Sequence, residues 1–290
     1  MANPEGNVFY ATDRDAPAGS EMRSRIGFIG AGRMAEAMIK GLIDEGVYTP
    51  DGISAAALSE STRDRMRETY GIRMHGRAAE AAAEADVIVL AVKPAQVRGL
   101  FEEEHLVLEP RHLLVSIVAG IDIRTLETYV PGSRVARVMP NHCCMVTSCA
   151  SGYAMGAGTT EDDAATVEGI FSPLGLSKRV EEDALDAVTG VSGSSPAFMY
   201  MMLDAIAEAG AGFGLAREDA LQLAAQSMVG AGKMVLESGM TPEQLVDGVC
   251  SPGGTTIEGV KLLREKGFGQ TVAEAVTASV RRSIEMKRVG

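Results

Sequence analysis

Glycines and hydroxyl side chains lie together in the segment Ser251-Pro252-Gly253-Gly254-Thr255-Thr256. A helical pattern follows, so this segment is a predicted helix start, where the first backbone amides have no partner and the helix dipole adds partial positive charge. Glycine lets a ligand approach the backbone closely, and the Thr256 hydroxyl can both donate and accept a hydrogen bond. The segment therefore predicts a pocket of amides for a small carboxylate. The alternative interpretation is an ordinary helix start with threonine capping.

A second segment, residues 26–35, has the pattern of a strand, a tight turn and a helix start. Gly30, Gly32 and Ala35 occupy the small-residue positions of the GxGxxA dinucleotide fingerprint. Gly30 permits the turn, Gly32 lets a pyrophosphate approach the helix terminus, and Ala35 lets the helix pack closely on the strand. Because a strand–helix–strand pattern surrounds it, we predict that this segment binds a dinucleotide.

The end of the second predicted strand bears on which dinucleotide binds. Glu60 suits the two ribose hydroxyls of NAD, whereas Ser59, Ser61, Thr62 and Arg63 suit the additional phosphate of NADP. The balance favours NADP, bound as NADPH, with NAD as the alternative cofactor.

Two further segments end predicted strands at the edge where open α/β sheets bind ligands. Ala91-Val92-Lys93-Pro94 closes the third strand and Val118-Ala119-Gly120 closes the fourth. The simpler interpretations are a surface lysine at Lys93 and an ordinary turn at Gly120.

Strand-length apolar runs alternate with helical patterns through the first half of the chain, which predicts a parallel sheet with crossover helices. Predicted strands cover residues 25–30, 53–58, 86–92, 113–119 and 134–139, with further strands at 150–155 and near 179–181. Thr160 and Asp163 are positioned to cap a helix. The fold class is thus α/β, an N-terminal Rossmann-type doubly wound sheet followed by an all-helical dimerisation domain.

The second half of the chain is rich in Ala, Met and Leu at helical spacing. Capping boxes are predicted at Thr241 with Gln244 and at Thr271 with Glu274. The methionines are predicted to pack as core, and the apolar faces exceed what a bundle of this size can bury, so we expect a homodimer through these helices. The predicted divisions are a disordered tail (1–21), a dinucleotide-binding Rossmann domain (22–182) and a helical dimerisation and substrate domain (183–290).

Composition excludes several classes of partner. A net charge of −12 without a basic stripe argues against nucleic acid, and no apolar run reaches the length of a membrane span. Residues 1–21 lack the hydrophobic stretch of a signal peptide, so we expect a cytoplasmic protein whose four cysteines are free thiols. The string His142-Cys143-Cys144 lacks the separated ligand pairs of a zinc site, and we expect no metal.

Taken together, the motifs resemble those of pyrroline-5-carboxylate reductases, which reduce 1-pyrroline-5-carboxylate to L-proline in the last step of proline biosynthesis. The resemblance runs from Arg25 to Arg282. Its most specific strings are IGFIGAGRMA at 26–35, AVKP at 91–94, RVMPN at 137–141, DAVTGVSGSSPAF at 186–198 and SPGGTTI at 251–257.

This resemblance implies a substrate site at a dimer interface, in which Glu182, Thr255 and Thr256 contact the cyclic imine and Ser251 and Gly254 hold its carboxylate. The implied cofactor contacts are Gly30, Ala31, Gly32, Arg33, Met34, Ala35, Ser59, Ala91, Val92, Lys93, Pro94, Val118, Ala119 and Gly120. The family forms intertwined dimers that often assemble into decamers.

The inferred reaction is hydride transfer to a C=N carbon, with the Thr256 hydroxyl at the imine nitrogen as the catalytic group. Three departures from the family pattern are His142-Cys143 where Thr-Pro is usual, Ser195 where glycine is usual, and Gly248 where asparagine is frequent. One alternative is a β-hydroxyacid dehydrogenase, which would need a lysine that residues 190–198 lack. The other is a non-catalytic dinucleotide-binding regulatory protein.

Overall fold

The structure is a computed structural model that describes residues 25–287 and divides them into two compact units. One unit runs up to Pro196 and includes the chain from Val276 onward, and the other comprises Ala197–Ala275. The tail predicted at 1–21 lies outside the described residues. The limits predicted for the two domains stay predictions, because compact units and domains need not share boundaries.

The first unit contains an eight-stranded sheet in the order β3-β2-β1-β4-β5-β6-β7-β8. The strands are β1 Ile26–Ile29, β2 Ile53–Ala56, β3 Arg73–His75, β4 Val87–Leu90, β5 Leu113–Ser116, β6 Arg134–Met139, β7 Cys149–Met155 and β8 Gly175–Arg179. Neighbouring strands are parallel except for β6 and β7, which are antiparallel. The predicted Rossmann-type, doubly wound sheet is therefore present, with a reversed pair at one edge.

Helices alternate with these strands and then form the second unit. Their bounds are α1 Arg33–Asp44, α2 Glu60–Tyr70, α3 Ala78–Ala83, α4 Pro94–Glu102, α5 Ile123–Tyr129, α6 Glu161–Phe171, α7 Leu185–Val188, α8 Ser195–Gly212, α9 Arg217–Glu237, α10 Pro242–Val249, α11 Thr255–Glu265 and α12 Phe268–Lys287. A π-helical turn, Thr189–Ser194, links α7 to α8.

Both faces of the central strands are buried, which explains why they read as continuous apolar runs. Along β1, Ile26 and Phe28 contribute to one apolar cluster and Ile29 to another. Val87 and Val89 of β4 likewise lie in the first cluster, whereas Ile88 lies in the second. The period of two therefore sends alternate side chains into two separate cores.

The sequence did not predict the reversal of β7. Residues 140–148 are too few for the helical crossover that a parallel strand needs, and they form a 3-10 turn, His142–Val146. The turn brings the Cα atoms of Cys144 and Cys149 to 4.3 Å, and their sulfurs form a disulfide. The expectation of four free thiols is therefore wrong for this pair, whereas Cys143 and Cys250 are free.

Two other strand predictions needed correction. Strand β3 was missed because its three residues are too short to show a period. The edge strand expected near 179–181 lies at Gly175–Arg179. Its position was predicted inaccurately because its polar, exposed residues hide the alternation of a strand. No helix within 25–287 is long and apolar enough to cross a membrane.

Two of the three predicted helix caps are present in the structure. Thr160 with Asp163 begins α6 and Thr241 with Gln244 begins α10, each as a reciprocal capping box. The box predicted at Thr271 is wrong, because α12 already begins at Phe268. Inside this helix the Thr271 hydroxyl donates to the Gly267 carbonyl oxygen over 3.1 Å.

The second unit leaves its large apolar side chains exposed. Met199 is 47% exposed, Met201 73% and Leu223 61%, and only small residues such as Ala207 and Ala220 are fully covered. The prediction that the methionines form a core is wrong for a single chain. Their exposure is what the expected homodimer would remove.

We expect Thr241→Ala to lower the free energy of unfolding by about 1 kcal/mol, because it removes the side-chain acceptor of an N-cap. Thr271→Ala is the matched control. It should be neutral or slightly stabilising, because alanine is the better residue inside a helix. Urea unfolding of both variants measures the difference, and equal losses would contradict the assigned caps.

Candidate active site

The turn after β1 leaves no room for a side chain. Gly30 has φ +98°, a conformation that favours glycine, and its amide donates to the Ala56 carbonyl oxygen over 3.0 Å. A Cβ on Gly30 would lie 2.7 Å from the Ala91 carbonyl oxygen at the end of β4. The predicted role of Gly30 in the turn is therefore matched by its geometry.

The start of α1 is an uncapped helix N-terminus with open space beside it. Gly32 is its N-cap, no side chain caps the helix, and no atom lies within 4 Å of a Cβ built on Gly32. Ala35 in the first turn is 1% exposed and packs into the core. The free amides and the open space beside Gly32 fit a dinucleotide pyrophosphate, which needs close contact with the backbone.

The end of β2 collects hydroxyl groups at another helix start. Ser59 caps α2 by accepting from the Thr62 amide, and the Ser59 and Ser61 hydroxyls are 2.8 Å apart. Arg63 donates to the carbonyl oxygens of Ala57 and Leu58, each over 2.8 Å. Two hydroxyls, a guanidinium and the positive end of α2 make this edge suited to a phosphate.

An ion pair joins α1 to α2 beside this edge. The Glu36 carboxylate accepts from both terminal nitrogens of Arg65 and, over 3.1 Å, from the Tyr70 hydroxyl. The Arg65 hydrogen bond holds the pKa of Glu36 below its usual value. This bidentate ion pair links the two helices that begin at the predicted cofactor segments.

The remaining predicted cofactor segments lie at the ends of β4 and β5. Lys93 is exposed and occupies the N-cap position of α4, where its amide donates to Gln96 Oε1 over 3.1 Å. At the next strand the Val118 amide donates to Ser116 Oγ over 3.3 Å, and Gly120 has φ +79°. Because β1, β4 and β5 are parallel neighbours, the segments that follow them share the carboxyl edge of the sheet.

The predicted carboxylate segment lies in the helical unit, at the start of α11. Gly254 is the N-cap and no side chain caps the helix, so the interpretation as threonine capping is wrong. The Gly254 amide donates to the Ser251 carbonyl oxygen over 3.0 Å, and a Cβ on Gly254 would lie 2.6 Å from Ser251 Oγ. The first-turn amides, from Thr255 and Thr256, therefore remain for a ligand.

Glu182 lies in the sheet unit and already has partners. Its Oε1 accepts from the Ile123 amide over 2.7 Å and from Arg137 over 2.9 Å, where Arg137 is 1% exposed. A substrate contact of Glu182 stays a prediction.

Sequence reasoning missed two buried polar residues near these segments. Asn141 accepts from the amides of Cys143 and Ala150 and donates to the Ser192 carbonyl oxygen. Asp186 accepts from residues about a hundred positions away. The available signal was a charged or amide residue inside an otherwise apolar run, which implies a partner when buried.

The departure at Ser195 causes no backbone strain. Ser195 has the helical angles φ −60° and ψ −26°, so glycine is not required there. Nothing lies within 4 Å of a Cβ built on Gly248. Among residues 25–287 no three His, Cys, Asp or Glu side chains are grouped as metal ligands.

Two protein-family models match the chain. The model described as pyrroline-5-carboxylate reductase dimerisation covers residues 182–286. The model described as NADP oxidoreductase, coenzyme F420-dependent, covers residues 25–120.

Several similar whole proteins are named pyrroline-5-carboxylate reductase. A pyrroline-5-carboxylate reductase of Arabidopsis thaliana is 39% identical over 264 residues, 91% of this chain and 96% of the relative. One from Methanosarcina acetivorans is 40% identical over 263 residues, 90% and 97% of the two chains. Among solved structures, the Coxiella burnetii pyrroline-5-carboxylate reductase has a TM-score of 0.84 at 34% identity, covering 91% and 98%. The Plasmodium falciparum pyrroline carboxylate reductase, solved with NADP bound, has a TM-score of 0.81 at 28% identity, covering 92% and 99%.

Gly30→Ala and Gly32→Ala should separate folding from binding. We expect Gly30→Ala to destabilise the protein by about 1–2 kcal/mol or more, from its left-handed conformation and the contact with Ala91. Gly32→Ala should keep the wild-type Tm but weaken NADPH binding at least about tenfold, because its methyl group would occupy the pyrophosphate space. Thermal unfolding and NADPH titration measure the two effects. Unchanged NADPH affinity in Gly32→Ala would exclude this turn from the pyrophosphate site.

The Glu36 ion pair should make stability depend on pH. Because the folded pKa of Glu36 is lowered, its contribution is present above the unfolded pKa of about 4.3 and is lost as the pH falls through the folded pKa. We expect Glu36→Gln to be destabilising at pH 7, by less than about 1 kcal/mol since Arg65 is half exposed, and nearly neutral at pH 3. Urea unfolding at pH 7 and pH 3 checks this, with Glu68→Gln, which removes an exposed carboxylate from α2, as the control.

Proposed function

The chain belongs to the pyrroline-5-carboxylate reductase family, and we propose that the Gly30–Ala35 turn and the Ser251–Thr256 segment hold the cofactor and the substrate of its reaction. The reaction is the NAD(P)H-dependent reduction of 1-pyrroline-5-carboxylate to L-proline. The proposal is carried by one observation, that both segments are helix starts with a glycine N-cap and no side-chain cap.

The reaction requires the protein mainly to position the substrate and the cofactor. When bound, the reduced dinucleotide supplies a hydride to the imine carbon. A protonated cyclic imine is already electrophilic, so the protein provides neither a nucleophile nor a metal. The task of this chain is to orient the ring and anchor its carboxylate.

The start of α11 provides the anchor. The amides of Thr255 and Thr256 carry the partial positive charge of the helix terminus and donate to the substrate carboxylate. The contact between Ser251 and Gly254 brings a hydroxyl to the same turn. The Thr256 hydroxyl hydrogen-bonds the ring nitrogen and is the proposed catalytic group.

NADP is the cofactor, held as NADPH for the reduction. We assign its additional phosphate to the Ser59 and Ser61 hydroxyls and the start of α2, with Arg63 as the nearby cation. Glu60 is exposed and begins α2, so NADH stays a possible second substrate for the assay.

The assembly follows from the exposed helices. A homodimer through the helical half would cover exposed Met201 and Leu223 and the groove of about 470 Å³ lined by Met202, Ile206 and Leu223. Decamers and a cytoplasmic location are further proposals, supported by the sequence resemblance.

A spectrophotometric assay tests the function. We expect oxidation of NADPH, and more weakly of NADH, on addition of pyrroline-5-carboxylate, with proline plus oxidised cofactor as the reverse control. A protein that binds NADPH without turnover would instead fit the non-catalytic alternative.

We expect Thr256→Val to lower kcat/KM for pyrroline-5-carboxylate about 100-fold, the effect of removing one positioned donor. The NADPH affinity should be nearly unchanged. Thr256→Ser keeps the hydroxyl and should restore most activity, whereas Thr271→Val, within α12, should not affect turnover. Wild-type turnover in Thr256→Val would remove this hydroxyl from the mechanism.

A further inference from the structure

The last part of α12 belongs to the sheet unit rather than to the helices that precede it. The chain from Val276 onward returns to this unit, and it packs on the π-helical turn, where a Cβ on Gly190 would lie 2.5 Å from Val280. This segment has no role in the proposed chemistry. Two of its polar side chains, Ser283 and Lys287, contact one buried carboxylate.

That carboxylate is Asp186, in the short helix α7. Ser283 Oγ donates to its Oδ1 over 2.7 Å and Lys287 Nζ to its Oδ2 over 2.6 Å. The side chains of Asp186 and Lys287 are 8% and 19% exposed. An ion pair this well covered fixes geometry, because breaking it leaves a buried charge without a partner.

The neighbour of Lys287 touches a predicted cofactor segment. A Cβ built on Gly120 would lie 3.3 Å from Met286 Cβ and 3.5 Å from the Met286 carbonyl carbon. The turn after β5 is thus held against the backbone of α12. It follows that a shift of this helix end would move Gly120.

Charges hold the other side of the same turn. Asp122 caps α5, and its pKa is held below the usual value mainly by its hydrogen bond with Thr125, with the positive charges of Arg137 and Lys287 contributing. Glu182 joins Arg137 to the Ile123 amide. Residues 120–123 are therefore fixed from both α12 and β6.

We propose that Asp186, Ser283 and Lys287 are positioning residues for the cofactor, acting by holding Met286 against the Gly120 turn. This inference rests on the proposed cofactor role of residues 118–120. In the sheet, β1 and β4 separate β5 from β2, so Gly120 and the Ser59 phosphate edge contact different parts of one dinucleotide. The positioning effect must then fall on the part of NADPH distant from its 2′-phosphate.

The test compares two ligands in Lys287→Met. We expect NADPH to bind about tenfold more weakly by fluorescence titration, which is about 1.4 kcal/mol. Adenosine 2′,5′-bisphosphate contains only the part of NADPH that carries the 2′-phosphate. It should bind to Lys287→Met as tightly as to the wild type. Lys287→Arg should restore most NADPH affinity, and Arg282→Met, which removes an exposed charge on the same helix, should have no effect.

Unchanged NADPH affinity in Lys287→Met would overturn the inference, even with a lowered Tm, because a purely structural role predicts that result. Equal weakening of both ligands would overturn it too. If Lys287→Met does not fold, Ser283→Ala decides, with about threefold weaker NADPH binding expected. These titrations measure binding without turnover. Failure of this inference can therefore be distinguished from failure of the proposed reductase activity.

Discussion

The sheet unit depends on how closely β1 and β4 approach each other at their carboxyl ends. The Ala91 carbonyl oxygen occupies the place where a Cβ of residue 30 would be, so only glycine fits. The turn that glycine permits leads into α1, whose first amides have no side-chain cap. Ala35 then lets the helix pack on the strands. The phosphate site that we propose here is thus a consequence of packing that leaves backbone polar groups unpaired.

Local signals predicted most of the fold. The strands β1, β4, β5 and β6 are apolar runs of the right length, and the caps at Thr160 and Thr241 are chemical patterns within four residues. The predictions that failed depend on structure beyond the local sequence pattern. Thr271 matches a capping box, but the helix around it starts earlier, at Phe268, and tertiary structure overrides the local pattern. The disulfide between Cys144 and Cys149 follows from a chain reversal that cysteine spacing alone does not reveal.

In the candidate site, too, features set by consecutive residues were predictable and contacts between distant residues were not. The glycine turns were predictable because their conformation depends on consecutive residues. The partners of Arg137 and Asp186 were not, because Glu182 and Lys287 lie far away in sequence. Even at the carboxylate segment, the sequence could not show that the Gly254 amide is used within its own turn, by Ser251. Backbone donors must be assigned one by one before a pocket is counted as free.

Ser195, together with the His142-Cys143-Cys144 departure, motivated the alternative of a protein that binds a dinucleotide without catalysis. Its backbone angles are those of an ordinary helix, at the point where the π-helical turn becomes α8. A position that glycine occupies for its conformation would show a positive φ, as Gly30 and Gly120 do. Serine at 195 therefore adds a hydroxymethyl group without distorting the chain. Because its effect is limited to local space, it argues for altered affinity within the same reaction rather than for a different function.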